Sequence, residues 1–91
     1  MKLSVIGAGY VGLTTAACLA QIGHEVFCSE SDSEKLAKLQ SGGMPLFEPH
    51  LEDVIKTVRQ AGRLFFGSTD EAIGWGDAIF ICVGTPPLVP P

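Results

Sequence analysis

Val5-Ile6-Gly7-Ala8-Gly9-Tyr10-Val11-Gly12 decides the fold, and Glu30, at the end of the next apolar run, completes its meaning. The segment reads as a strand, a tight glycine turn and the start of a helix. Gly7 permits the turn out of the strand, Gly9 lets main-chain N–H groups approach an anion closely, and Gly12 lets the helix lie against the sheet. An anion placed there meets unpaired N–H groups and the positive end of a helix dipole. A carboxylate at the end of the second strand is placed to accept hydrogen bonds from a ribose. Glycine spacing of this kind is weak in isolation. Here it follows a strand, opens a helix and precedes an acid, which is the context of a dinucleotide-binding turn.

The rest of the chain extends the same pattern. Leu3 to Ile6 is the first strand, and the helix expected from Tyr10 to Ile22 places Val11, Ala16, Ala17, Leu19 and Ala20 in packing positions, with Gly23 as its stop. His24 to Glu30 returns as a second strand around Val26-Phe27-Cys28, with His24 a polar residue at its start. Ser31 or Asp32 caps a short helix through Lys35, Leu36 and Leu39, which Gly42-Gly43 ends. After the irregular Met44 to Glu48, Pro49 suits the first turn of another helix, and Leu51, Val54, Ile55 and Val58 give it one apolar face, with Gly62 closing it. Leu64-Phe65-Phe66 is a third strand. Thr69 or Asp70 starts a short helical turn that ends between Gly74 and Gly76, and Trp75 packs beside it. Ala78 to Val83 is a fourth strand whose unbroken apolar run predicts a central place in a sheet.

Strands alternating with helices imply right-handed crossovers and an α/β, Rossmann-like, doubly wound parallel sheet of about four strands in the order 3-2-1-4. The ligand crevice is then expected at the carboxyl ends of strands one and four, between the glycine turn, Glu30 and Val83-Gly84-Thr85. No repeat or linker divides the chain, so residues 1–91 form one domain.

Composition excludes several alternatives. The chain has 91 residues, 46% of them hydrophobic and 18% charged, as in ordinary globular proteins. With a net charge of −4 and six basic residues that form no cluster, neither nucleic acid nor an anionic membrane surface is an expected partner. The apolar stretch from Lys2 to Ala20 superficially resembles a secretory leader, but its cleavage would delete the strand that the pattern requires. Cys18, Cys28 and Cys82 are odd in number, widely spaced and flanked by apolar residues. They read as buried small hydrophobes in a reducing cytoplasm, without zinc-binding spacing and with no metal expected.

Glu30 also selects the cofactor. It can bond both ribose hydroxyls and would repel a 2′-phosphate, and no arginine stands beside it, so NAD is expected over NADP; Lys35 is the one nearby group that favours a phosphate. Hydride chemistry belongs to the nicotinamide, and no acid-base pair or activated nucleophile is evident, so no catalytic residue is assigned.

Gly7-Ala8-Gly9-Tyr10-Val11-Gly12-Leu13, Phe47-Glu48-Pro49 and Val83-Gly84-Thr85-Pro86-Pro87, in this order, resemble the N-terminal region of the UDP-glucose 6-dehydrogenase and GDP-mannose dehydrogenase family. The resemblance covers the chain to Pro87. It implies oxidation of the primary alcohol of a nucleotide sugar to a carboxylate by two NAD, through a cysteine-bound intermediate whose residues lie far downstream. By position it implies that Gly7, Gly9, Tyr10, Val11 and Gly12 approach the pyrophosphate, that Glu30 holds the adenosine ribose with Lys35 nearby, and that Val83, Gly84 and Thr85 approach the nicotinamide side. The chain departs from the family pattern in Glu30 for a usual aspartate, in Ser29 and Ser31 for apolar neighbours, in His50 for a glycine, and in the apolar Leu88 to Pro91. On this resemblance the chain is expected to be a partial cofactor domain, inactive alone, whose fourth strand is an exposed apolar edge prone to self-association. Two other classes share the early motifs, a non-catalytic NAD- or nucleotide-sensing module and another NAD-dependent hydroxy acid dehydrogenase. The Glu-Pro and Gly-Thr-Pro-Pro segments favour the nucleotide-sugar enzyme.

Overall fold

The computed structural model describes residues 1–43 and 49–83. Their order is β1 (Lys2–Ile6), α1 (Tyr10–Gln21), β2 (Glu25–Ser29), α2 (Ser33–Gln40), α3 (Pro49–Gln60), β3 (Leu64–Gly67), α4 (Thr69–Trp75) and β4 (Ala78–Ile81). The four strands form one parallel sheet in the order β3-β2-β1-β4, as the alternation of elements predicts. Phe47, Glu48, Gly84 and Thr85 lie outside the described residues.

Register explains how the two faces divide. Val5 stands beside Cys28 on one side and Phe80 on the other, and Cys28 stands beside Phe66. Parallel neighbours in register share a face, so these residues point together. Val5, Cys28 and Phe66 meet Leu13, Ala16, Ala17 and Ala20 of α1, Leu39 of α2, and Leu51, Ile55 and Val58 of α3 in a single buried cluster. The alanines of α1 bring its backbone close to the sheet, while the larger side chains of α3 fill the space beyond. Arg59 braces α3 against α2, its guanidinium donating to the carbonyls of Leu39 (2.7 Å) and Gln40 (3.3 Å) and standing 5.3 Å from the Phe66 ring centroid. The C-terminal carbonyls of α2 thus receive the cation that the helix dipole favours there.

The opposite face carries α4. Ser4 is fully buried and donates its hydroxyl to the Ala72 carbonyl (2.5 Å), so the buried polar side chain on this side of β1 is satisfied. Trp75 packs its ring 5.7 Å from Phe27 and 5.9 Å from Phe65. Helix α4 starts in a capping box: the Ser68 hydroxyl accepts from Glu71 N–H, and the Glu71 carboxylate accepts from the Ser68 N–H and hydroxyl. Those two donors hold the Glu71 carboxyl below its ordinary range. The cap therefore falls on Ser68, one residue before the expected start, and the helix continues through Gly74 to Trp75.

Helix α1 closes in a Schellman motif: Gly23 N–H donates to Ala20 and His24 N–H to Leu19, with Gly23 at φ +113°. Three expectations are corrected. Val11 is 64% exposed, because it lies on the outer side of the first turn of α1. Cys18 is exposed, Cys28 buried and Cys82 half-buried, so the thiols do not share one environment. Strand β4 lies at the sheet edge, as the order 3-2-1-4 predicts and not in the central place that its apolar run suggests, with Ile79, Phe80 and Ile81 each at least 41% exposed. Its apolarity does not report burial on both faces within these residues.

Candidate cofactor site

Helices α1 and α4 lie on opposite faces of the sheet, and a crevice opens at the carboxyl ends of β1 and β4. A cavity of about 260 Å³ lies there, lined by Gly7, Ala8, Gly9, Glu30, Ser31, Lys35, Cys82 and Val83. The structure thus brings five of the residues expected at the site, Gly7, Gly9, Glu30, Lys35 and Val83, to one cavity.

Each edge of that cavity is fixed by main-chain bonds. Gly7 N–H donates to Ser29 O (3.1 Å), Cys82 N–H to Ile6 O (2.8 Å) and Glu30 N–H to Gly67 O (3.2 Å), so the carboxyl ends of all four strands are tied together. Gly7 has φ +103°, a conformation that side chains disfavour, and a Cβ there would stand 3.0 Å from the Cys82 carbonyl. Gly12 is buried, and a Cβ on it would overlap the Gly7 carbonyl oxygen. Here the third glycine of the motif packs a helix onto a turn and does not itself line the cavity. Tyr10 turns into a groove between α1 and α3, together with Thr14, Cys18, His50 and Leu51, and Val11 is exposed beside it. Neither side chain lines the cavity, so only their main-chain N–H groups are available to an anion at the turn.

The turn fits a diphosphate. Gly9 is the N-cap of α1 and supplies no side-chain cap, and the first turn holds no acidic residue. By contrast, α2 is capped by Asp32 and followed by Glu34, and α4 is capped by Ser68 and followed by Asp70 and Glu71. A Cβ built on Gly9 would meet no atom within 4 Å. The first N–H groups of α1 thus have no side-chain cap and no carboxylate of their own turn to compete for them, and the space beside Gly9 is open.

Glu30 is half-buried, and its Oε2 accepts from the Asp32 N–H at 2.9 Å, which fixes the carboxylate at the mouth of the cavity while leaving acceptor sites free. Asp32 had been assigned only a capping role, and its orienting bond to Glu30 is not visible in residue spacing. Ala8, Ser31 and Cys82 also line the cavity. The signal for Cys82 is its place near the carboxyl end of the expected fourth strand, the end that faces the crevice; the observed β4 stops one residue before it. Cys28 lies beneath the turn, where burial, then the neighbouring Cys82 and Glu30, push its thiol up to about 12. It stays protonated and does not act as a nucleophile. Among the described residues no group of His, Cys, Asp or Glu side chains could hold a metal ion, and no helix is long and apolar enough to cross a membrane.

Comparison with known proteins agrees with this geometry. The chain is 49% identical over 87 residues to UDP-glucose 6-dehydrogenase of Pseudomonas aeruginosa, and 44% identical over 88 residues to GDP-mannose 6-dehydrogenase of the same organism. Each match covers 94% of this chain but 19% and 20% of those proteins, so the chain spans about one fifth of the length of the curated relatives it matches. Among solved structures it superposes on a UDP-glucose dehydrogenase from Pyrobaculum islandicum with a TM-score of 0.89 at 40% identity, covering 96% of this chain and 20% of that one. The GDP-mannose dehydrogenase of Pseudomonas aeruginosa, solved as a ternary complex, gives a TM-score of 0.86 at 41% identity, covering 94% and 20%. Residues 1–89 match the NAD binding domain of the UDP-glucose/GDP-mannose dehydrogenase family, and the chain belongs to that family, with NAD as its cofactor.

Proposed function

We propose that the chain is the NAD-binding portion of a nucleotide-sugar dehydrogenase that oxidises the primary alcohol of the sugar to a carboxylate. One observation carries the reading: the glycine turn and Glu30, distant in sequence, line one cavity at the carboxyl ends of the central strands. In this reading the pyrophosphate rests on main-chain N–H groups between Gly9 and Gly12, Glu30 holds the adenosine ribose with Lys35 beside it, and Val83, Gly84 and Thr85 extend toward the nicotinamide. Bound NAD accepts the hydride; these residues bind and orient it. The 91 residues alone hold the cofactor without completing a reaction. The unpaired thiols of Cys18, Cys28 and Cys82 suit a reducing cytoplasm.

Titration of the purified chain with NAD tests the site. Gly9→Val is expected to weaken NAD by about 100-fold, since the added side chain enters the space the anion needs, while the melting temperature stays within a few degrees because nothing in the fold is displaced. Unchanged NAD affinity in this variant removes the assignment of the turn.

The edge strand supports a second part of the proposal, self-association of the isolated chain. Ile79 (44% exposed), Phe80 (41%), Ile81 (74%) and Val83 (59%) offer an uncharged apolar strip along an edge that no other strand pairs with among the described residues. Sedimentation is expected to show dimers or larger species whose share rises with concentration, and Ile81→Lys is expected to shift the chain toward monomer. A wild-type monomer at every concentration, unfolding cooperatively, refutes this.

A further inference from the structure

Beside Glu30 the chain assembles most of a phosphate receptor. Ser31 offers a hydroxyl, Lys35 an ammonium group, and the N-terminus of α2 its dipole; Ser31 and Lys35 line the same cavity as Glu30. A ribose held by Glu30 would direct its 2′-oxygen toward this corner. Glu34 lies in the first turn of α2 but does not line the cavity, and with Glu30 as the carboxylate that does, set against a lysine and a helix N-terminus, the local charge would not by itself exclude a 2′-phosphate.

Asp32 changes that balance. Its Oδ1 accepts from the N–H groups of Glu34 (2.9 Å) and Lys35 (3.3 Å), and its own N–H donates to Glu30 Oε2 (2.9 Å). The N–H groups of residues 32, 34 and 35 are thereby committed to carboxylates of the chain itself. A phosphate seeking the α2 N-terminus must displace the Asp32 carboxylate and then stand beside two negative charges.

Resting on the cofactor assignment above, the geometry points to Asp32 as a second specificity-determining residue, which closes the α2 N-terminus to a 2′-phosphate while its main-chain N–H aims Glu30 at the ribose. Discrimination between NAD and NADP is then divided between two carboxylates. Glu30 contributes attraction for the hydroxyls, and both contribute repulsion of the phosphate.

The test uses ADP-ribose and its 2′-phosphate as probes, titrated calorimetrically into the 91-residue chain and its Asp32→Ser, Glu30→Ala and double variants. Serine keeps a short capping acceptor, so Asp32→Ser is expected to melt near wild type. It should bind ADP-ribose within about threefold of wild type and bind the 2′-phosphate about tenfold more tightly, the size of effect expected from removing one charge several ångströms from a dianion. That gain should shrink as salt is raised. Glu30→Ala alone should weaken ADP-ribose without bringing the 2′-phosphate to the affinity of the double variant, which should prefer the phosphorylated probe.

An Asp32→Ser chain whose 2′-phosphate affinity does not change overturns the proposal, as does equal weakening of both probes. Should the serine variant unfold, Asp32→Asn keeps the cap and removes the charge, and the same two outcomes decide. A folded wild-type chain that binds neither probe overturns the cofactor site and this inference with it. Tight ADP-ribose binding with discrimination indifferent to residue 32 overturns this inference alone.

Discussion

Gly12→Ala is expected to destabilise the domain by about 3 kcal/mol, the upper end of the usual cost of overpacking. The added methyl would occupy the position of the Gly7 carbonyl oxygen, and neither partner moves freely. Gly7 is tied by its N–H to Ser29 and held between β1 and the chain after β4, while α1 is pinned by Leu13, Ala16, Ala17 and Ala20 in the core. Relief requires lifting the N-terminus of α1 from the sheet, which opens the seam between the helix and the glycine turn. For a domain of this size such a loss lowers the melting temperature by roughly 12 to 24 °C and removes a large share of the total stability. NAD affinity should fall as well, because the turn and the helix start move apart. Gly9→Ala supplies the contrast: the same methyl, three residues earlier, meets nothing within 4 Å at φ −73° and should cost no more than about 1 kcal/mol, the disadvantage of alanine at an N-cap. Denaturant midpoints at constant slope measure both variants. A Gly12→Ala chain within about 0.5 kcal/mol of wild type would falsify the packing role.

The legible parts of this fold are those in which a residue's type carries its geometry. Glycines at turn and helix ends, the apolar stripe Leu51, Val54, Ile55 and Val58, and the short apolar runs of the strands each have one physical reading, and the observed β3-β2-β1-β4 sheet follows from their alternation. What failed was burial inferred from apolarity alone. The α1 sequence is small and apolar nearly all round, so it marks no clear outer face, and Val11 and Cys18 prove exposed while Ala16 and Ala17 are buried. Strand β4 has a buried strand's composition but stands at the edge of the described sheet. At the site, the turn and Glu30 were legible because phosphate and ribose demand those residue types at those places. The orienting bond from Asp32 was not, since it depends on a main-chain direction within a tight connection that no spacing rule encodes. The Ser68 cap, by contrast, carries the Ser-x-x-Glu pattern and could have been read.

Glu30→Ala is expected to weaken NAD by about 100-fold or more with little effect on folding. A carboxylate that accepts from two ribose hydroxyls makes two charge-assisted bonds, each contributing about 1.5 to 3 kcal/mol. Alanine removes both and leaves the ribose facing the remaining cavity wall. The fold should tolerate the change because Glu30 is half-exposed and its side-chain partner, the Asp32 N–H, lies near water. Its main-chain tie to Gly67 is unaffected by the side chain. Glu30→Gln separates shape from charge: the amide oxygen can still accept, but neutral bonds are about half as strong, so a loss of roughly tenfold is expected. Glu30→Asp restores the family's usual acid on a side chain one methylene shorter and should stay closest to wild type. The decisive comparison is by ligand. Adenosine diphosphate ribose should weaken in parallel with NAD, whereas nicotinamide mononucleotide, which has no adenosine ribose, should bind all four chains alike. Equal losses for the mononucleotide would mean that the substitution disturbs the whole cavity and that no ribose contact had been measured. An NAD affinity within threefold of wild type in the alanine variant would place the adenosine ribose somewhere other than at the end of β2.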